Sequence, residues 1–198
     1  MADKADLLQR LRGEGFSEDI VNAFDQVKRE QFMPDDYKRY SYEDAALPIG
    51  YNQTISQPST IAFMLTLLEP DKEKKVLEIG CGSGYVLALL SHIFPDSKIY
   101  GTERIKDLAE QAQKRLKKYK NVKVVYTPGK VGLPAQKPFD RILVSAAAHD
   151  IPYYIIEQLA EEGIAVCPVR RSIMKFTRNN NKIEKEGHFG FSFVPLIE

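Results

Sequence analysis

The sequence predicts an α/β fold: a doubly wound, mostly parallel sheet with helices on both faces, an N-terminal helical cover and a C-terminal antiparallel hairpin at the sheet edge. Three observations predict it. Short apolar runs alternate with helical apolar spacing between residues 58 and 169, the pattern of strands joined by crossover helices. One run, Val76-Leu77-Glu78-Ile79, breaks into Gly80-Cys81-Gly82-Ser83-Gly84 and resumes as a helix, so a strand turns into a helix on three closely spaced glycines. At 198 residues, 43% hydrophobic and 28% charged, the chain can bury about 70% of its unfolded surface around one main core.

The elements follow in order. Residues 5–12 and 18–28 have helical apolar spacing, with Ser17 ahead of two acids as the N-cap of the second. Pro58 opens a helix carrying Ile61, Ala62, Met64, Leu65 and Leu68, and Pro70-Asp71 ends it. Strands are expected at 75–80, 98–102, 122–127, 140–145 and 163–169, and helices at 84–94, 106–118 and 152–161. In the tail, Asn179-Asn180-Asn181 punctuates two β-like stretches, 173–178 and 188–197, which predicts the hairpin. The organisation is a single Rossmann-like domain over 1–198: a cover and loop (1–57), a core (58–170) and the hairpin (171–198).

Composition narrows the function. A formal net charge of +1 supplies no field for nucleic-acid phosphates, and the basic run at 114–120 reads as a solvated helix end, so no nucleic-acid partner is expected. No apolar stretch reaches the ~18 residues of a membrane span. The first residues form no secretory signal, so the expectation is a cytoplasmic protein with no membrane partner. Cys81 and Cys167 build no disulfide framework and have no metal-ligand spacing, so no metal is expected. His92, His149 and His188 are scattered, at surface or loop positions, and no Ser-His-Asp order exists.

The glycine spacing selects the cofactor class. A dinucleotide fingerprint places a pyrophosphate over G-x-G-x-x-G. Here the order is Glu-x-Gly-x-Gly-x-Gly, with no adjacent Lys or Arg to neutralise phosphate. S-adenosylmethionine, which has a ribose but no phosphate, fits better. Its ribose hydroxyls need a carboxylate, and Glu103 ends the next apolar run. A purely structural strand-to-helix turn is the alternative for the glycines alone; Glu103 decides for the cofactor.

Further segments make the chain similar to a known family. Val27 to Pro34, Tyr42-Glu43-Asp44, Leu47-Pro48-Ile49-Gly50-Tyr51 and Gln53-Thr54-Ile55-Ser56-Gln57-Pro58 resemble the N-terminal half of protein-L-isoaspartate O-methyltransferases, which are class I S-adenosylmethionine-dependent enzymes. The glycine motif, Glu103-Arg104-Ile105, Phe139-Asp140-Arg141-Ile142, Ala146-Ala147-Ala148 and Phe193-Val194-Pro195-Leu196 follow in the family's order. The resemblance implies repair of damaged proteins and peptides: a methyl group passes to the α-carboxylate of an L-isoaspartyl residue, leaving S-adenosylhomocysteine, and the ester then cyclises and reopens partly to aspartate. It places Ser56, with Thr54, on the catalytic substrate side. The cofactor wall is expected along Glu78, Gly80, Cys81, Gly82, Ser83, Gly84, Glu103, Arg104, Thr127 and Gly129. Ile55, Gln57, Ala146 and Ala147 are expected to bind substrate, in a cleft between loop 47–57 and the 146–148 turn. A monomer is expected.

The chemistry suits these residues. A carboxylate with pKa near 4 is already ionised at neutral pH, so its attack needs no general base. Ser56 can hold it with one hydrogen bond without quenching it as a cation would; its alternative role is N-cap of the helix opened by Pro58. Tyr51 and Tyr85 can serve as lids or as core aromatics. The chain departs from the family at Thr127-Pro128-Gly129, where an acid customarily meets the adenine amino group, and at Asn52 and Ser59. Two rival functions stay open: a family member that binds but does not turn over, and a methyltransferase acting on RNA or a small molecule.

Overall fold

The computed structural model describes residues 2–70, 74–129, 131–180 and 182–197. The chain opens with helices α1 (Lys4–Gly13) and α2 (Glu18–Gln26). Asp3 caps α1 reciprocally: its carboxylate accepts from the Asp6 N–H, and the Asp6 carboxylate accepts from the Asp3 N–H. Ser17 occupies the equivalent position before α2, but its hydroxyl makes no capping bond. Single 3-10 segments, Arg29–Phe32 and Asp35–Tyr40, lead to a small hairpin of β1 (Leu47–Gly50) and β2 (Gln53–Ile55), where the sequence suggests only a loop. Its tip residues Tyr51 and Asn52 have φ of 54° and 55°, a left-handed conformation that Asn tolerates better than most residues.

The alternating core follows: α3 (Pro58–Leu67), β3 (Lys75–Ile79), α4 (Tyr85–Ile93), β4 (Lys98–Glu103), α5 (Lys106–Arg115), β5 (Val122–Tyr126), β6 (Phe139–Val144), α6 (Tyr153–Ile156), β7 (Leu159–Val169), β8 (Ser172–Asn179) and β9 (Lys182–Phe189). Of the expected terminator of α3, Pro70 lies past the helix end and Asp71 lies outside the described residues. Among the described residues the main sheet has seven strands in the order β5-β4-β3-β6-β7-β8-β9. β5 to β7 run parallel and β8 and β9 antiparallel. The order reverses between β3 and β6, the switch point at which loops diverge and leave a crevice.

Alternate residues of the strands feed two apolar layers. Val76, Ile99, Leu143 and Val166 pack with helices α1 to α5, while Leu77, Ile79, Ile142 and Val144 pack on the opposite face with Ile155 and Ile156 of α6. Helices therefore lie on both faces, but unequally.

Three expectations need correction. The helix expected at 152–161 is a single turn, and β7 begins at Leu159. Glu162 takes φ 58° and Gly163 sits where a Cβ would lie 2.8 Å from the Ala160 carbonyl, so the chain kinks and rejoins β6 with shifted register. The second hairpin strand is Lys182–Phe189, not 188–197. The chain reverses at once after Asn179, with Asn180 at φ 49° and Asn179 paired to Lys182; Asn181 of the expected turn lies outside the described residues. Most of β9 is exposed, and Lys182, Glu184, Lys185 and Glu186 gave it no apolar signal. Finally, the basic run at 114–120 is not wholly solvated, because Arg115 is half-buried and its guanidinium reaches the Ser83 carbonyl at 3.4 Å.

No helix among the described residues is long and apolar enough to cross a membrane.

Gly101 of β4 lets α4 approach the sheet: a Cβ there would sit 2.3 Å from Leu87 Cδ1, and Leu87 is itself completely buried and cannot swing aside. We expect Gly101→Ala to destabilise the protein by about 1–3 kcal/mol through overpacking, read as a lower midpoint in chemical denaturation; an unchanged midpoint would show that the α4 contact yields freely.

Candidate functional site

The glycine turn between β3 and α4 has three glycines for three reasons. A Cβ on Gly80, at φ 77°, would meet no atom within 4 Å: that face opens on a cavity. One on Gly82 would press against Ile49 of β1 at 3.1 Å, and one on Gly84, at φ 86°, would strike Leu116 at 2.8 Å. Four of the turn's five amides are already engaged within the fold. Gly80 and Cys81 donate to the Thr102 carbonyl, Gly84 to Cys81, and Gly82 to Glu103.

Two acids stand behind this turn. Glu103 is buried, with one oxygen accepting from the Gly82 N–H at 2.9 Å and the other from the Ile105 N–H at 2.8 Å. Both bonds fix the carboxylate and leave further lone pairs toward the adjoining cavity. Glu78 is also buried. The Ser145 hydroxyl donates to its Oε1 at 2.7 Å, while its Oε2 is buried without a hydrogen-bond partner among the described residues. Burial, partly opposed by the Ser145 bond and reinforced by the charge of Glu103, pushes the Glu78 carboxyl up to about 8.

The larger opening is a cleft of about 480 Å³. Thr54, Ser56 and Gln57 line one side, and Gly190 to Val194 the other. Thr54 and Ser145 line this cleft and also the two smaller cavities at the glycine turn, and Ser56 lines the cleft and one of them. Ser56 is half-buried, and its hydroxyl has no partner among the described residues. It does not cap α3. The Asp44 carboxylate does so from fifteen residues upstream, accepting from the Ser59 N–H at 2.9 Å and from the Gln57 amide at 3.0 Å.

The remaining expected residues divide. Arg104, exposed, and Ala146, buried, line the cavity that holds Glu103; Thr127 and Arg104 line its extension. Ser83 is buried at the turn, and Gly129 takes φ 64° in the turn after β5. Ile55 is a core residue at 4% exposure. Cys81 touches the cavity but is wholly enclosed, and burial holds its thiol well above the ordinary range. Tyr85 is core, whereas Tyr51 is exposed and donates to Asp107 of α5, pinning the hairpin tip. The Ala147 N–H donates to the Val194 carbonyl and its C=O accepts from the Leu196 N–H, so its backbone is paired with the chain's own C-terminal segment.

The family model described as protein-L-isoaspartate(D-aspartate) O-methyltransferase matches residues 2–198. The chain belongs to this family. A Dictyoglomus turgidum protein-L-isoaspartate O-methyltransferase is 41% identical over 197 residues, covering 96% of this chain and 89% of that protein. A solved protein-L-isoaspartate O-methyltransferase superposes with a TM-score of 0.90 at 27% identity, over 99% of this chain and 66% of the other. A Plasmodium falciparum beta-aspartate methyltransferase, solved with S-adenosyl-L-homocysteine, gives 0.85 at 26% identity over 100% and 99% of the two chains.

Sequence reasoning gave no role to Ser145, Asp44 or the Gly190–Val194 wall. Asp44, Phe193 and Val194 stand in segments that carry the family resemblance, and Ser145 closes the strand expected at 140–145, where the sheet order reverses.

Glu78 gives the protein a pH signature. The unfolded chain ionises this carboxyl near its ordinary 4.5, while the fold holds the proton to about 8. Its contribution to stability is therefore fully present below about pH 4.5 and is lost as pH rises toward 8. Relative to Glu78→Gln, the cofactor-free wild type should lose stability steadily across that window in urea titrations; a constant difference would mean that the carboxyl is ionised in the fold.

Proposed function

We infer that this chain is a repair methyltransferase that moves a methyl group from S-adenosylmethionine to the α-carboxylate of L-isoaspartyl residues in damaged proteins and peptides. Family membership over nearly the whole chain supports it. The observation that carries it here is the half-buried Ser56 hydroxyl, without a partner among the described residues, on the wall shared by the 480 Å³ cleft and the glycine-turn cavity.

The residues present fit the cofactor. Glu78 offers a cationic group a buried oxygen that has no partner among the described residues, Glu103 is fixed to accept from ribose hydroxyls, and Gly80 leaves its side open. When bound, S-adenosylmethionine supplies a methyl carbon on a positively charged sulfur. The protein's part is alignment. Ser56 donates to the substrate carboxylate and Thr54 flanks it, while the Glu103 carboxylate, held by two amides, keeps the other end in register. No base is required, since the attacking carboxylate arrives ionised. The cleft, walled by Gln57 on one side and the 190–194 segment on the other, accepts an extended peptide backbone displaced by the extra methylene of an isoaspartyl link.

The test is to incubate the protein with labelled S-adenosylmethionine and an isoaspartyl peptide beside its normal aspartyl twin. Base-labile methyl ester should form on the first alone. Equal labelling of both peptides, or none of either, overturns the reading. In the same assay Ser56→Ala should fall tenfold or more with little change in melting temperature, because α3 is capped by Asp44. A loss of stability with normal turnover would remove the role.

Pro128 stands exposed in the turn after β5, where the family carries an acid. Restoring one hydrogen bond at about 1 kcal/mol, Pro128→Asp should tighten cofactor binding several-fold. Calorimetry showing equal or weaker binding would contradict this.

A further inference from the structure

We propose that Arg29 is a positioning residue for methyl transfer: its guanidinium clamps the two feet of the β1–β2 hairpin together and thereby fixes where Ser56 stands. Arg29 is completely buried in the first 3-10 turn. Nη1 donates to the carbonyls of Ser41 at 3.0 Å and Glu43 at 3.1 Å, and Nη2 to those of Ala45 at 3.0 Å and Ser56 at 3.0 Å. Three of these carbonyls precede β1 and the fourth follows β2.

Among the described residues no carboxylate pairs with this cation. A buried charge is costly, and well-packed apolar side chains commonly replace one without loss of stability. The guanidinium therefore adds geometry. Its planar fork satisfies four carbonyls from one rigid group, which the single ammonium of a lysine cannot reproduce. The Arg29 Cζ also lies 5.9 Å from the centre of the Tyr85 ring, and Tyr85 is the first residue of α4, directly after the glycine turn. One side chain thus references the Ser56 wall to the cofactor wall. That spacing matters because a displacement of about 1 Å between reacting groups can cost about a hundredfold in rate.

The inference rests on the functional reading above, and its test separates the two. Wild type, Arg29→Lys, Ser56→Ala and the double variant are compared for kcat and KM on an isoaspartyl peptide and for S-adenosylhomocysteine affinity by calorimetry. We expect Arg29→Lys to fold, to bind S-adenosylhomocysteine within about threefold of wild type, and to lose about 10–100-fold in kcat with a smaller change in KM. The double variant should lose no more than the worse single one, because both act through the same hydroxyl. Full kcat in folded Arg29→Lys, or losses that multiply in the double variant, overturns the clamp. If Arg29→Lys does not fold, hydrogen exchange on the wild type decides: the hydrogen-bonded amides of Ser41, Glu43 and Ala45, whose carbonyls Arg29 holds, should open only with global unfolding, and rapid local exchange at these amides overturns the proposal. A wild type that leaves the peptide unmodified defeats the functional reading, while the exchange experiment still decides the clamp.

Discussion

The 2.7 Å hydrogen bond from the Ser145 hydroxyl to Glu78 ties together the two strands at which the sheet changes direction, and the rest of the site is arranged around it. β3 leads into the glycine turn and β6 into the alanine turn, so their loops part at this point and the cavities open between them. Ser145 reaches all three openings. Because Glu78 keeps its proton to about pH 8, its side chain brings little charge to these cavities at neutral pH.

The large cleft is built from both halves of the chain. Small side chains at Ala146, Ala147 and Ala148 let the C-terminal segment lie close, and Ala147 bonds to Val194 and Leu196 as a strand would. That segment then supplies the far wall of the cleft through Gly190 to Val194. The Phe193-Val194-Pro195-Leu196 motif thereby acquires a physical reason: it is anchored on one register to the turn after β6.

What was legible in the sequence had a local signature. The glycine turn, the buried acid at the end of β4 and the parallel core follow from short-range motif spacing or from strand-helix alternation. What was illegible depends on partners far along the chain or on backbone atoms. Asp44 caps a helix fifteen residues away, and Arg29 bonds only to carbonyls, which every residue has. The kink at Glu162-Gly163 reads as a helix end until β6 is beside it to pair with. β9 escaped because an edge strand needs no apolar alternation. The Thr54-Ile55-Ser56 segment was recognisable by resemblance, yet its freedom from capping duty was visible only in three dimensions.

The charge along β9 has a further consequence. An open sheet edge is a template for any extended chain that passes, and the proposed clients are aged proteins that expose such chains. Alternating lysines and glutamates at Lys182, Glu184, Lys185 and Glu186 make that border a poor mould for foreign strands. A repair enzyme with a sticky margin would co-aggregate with the material it is meant to restore; the charges along β9 work against that.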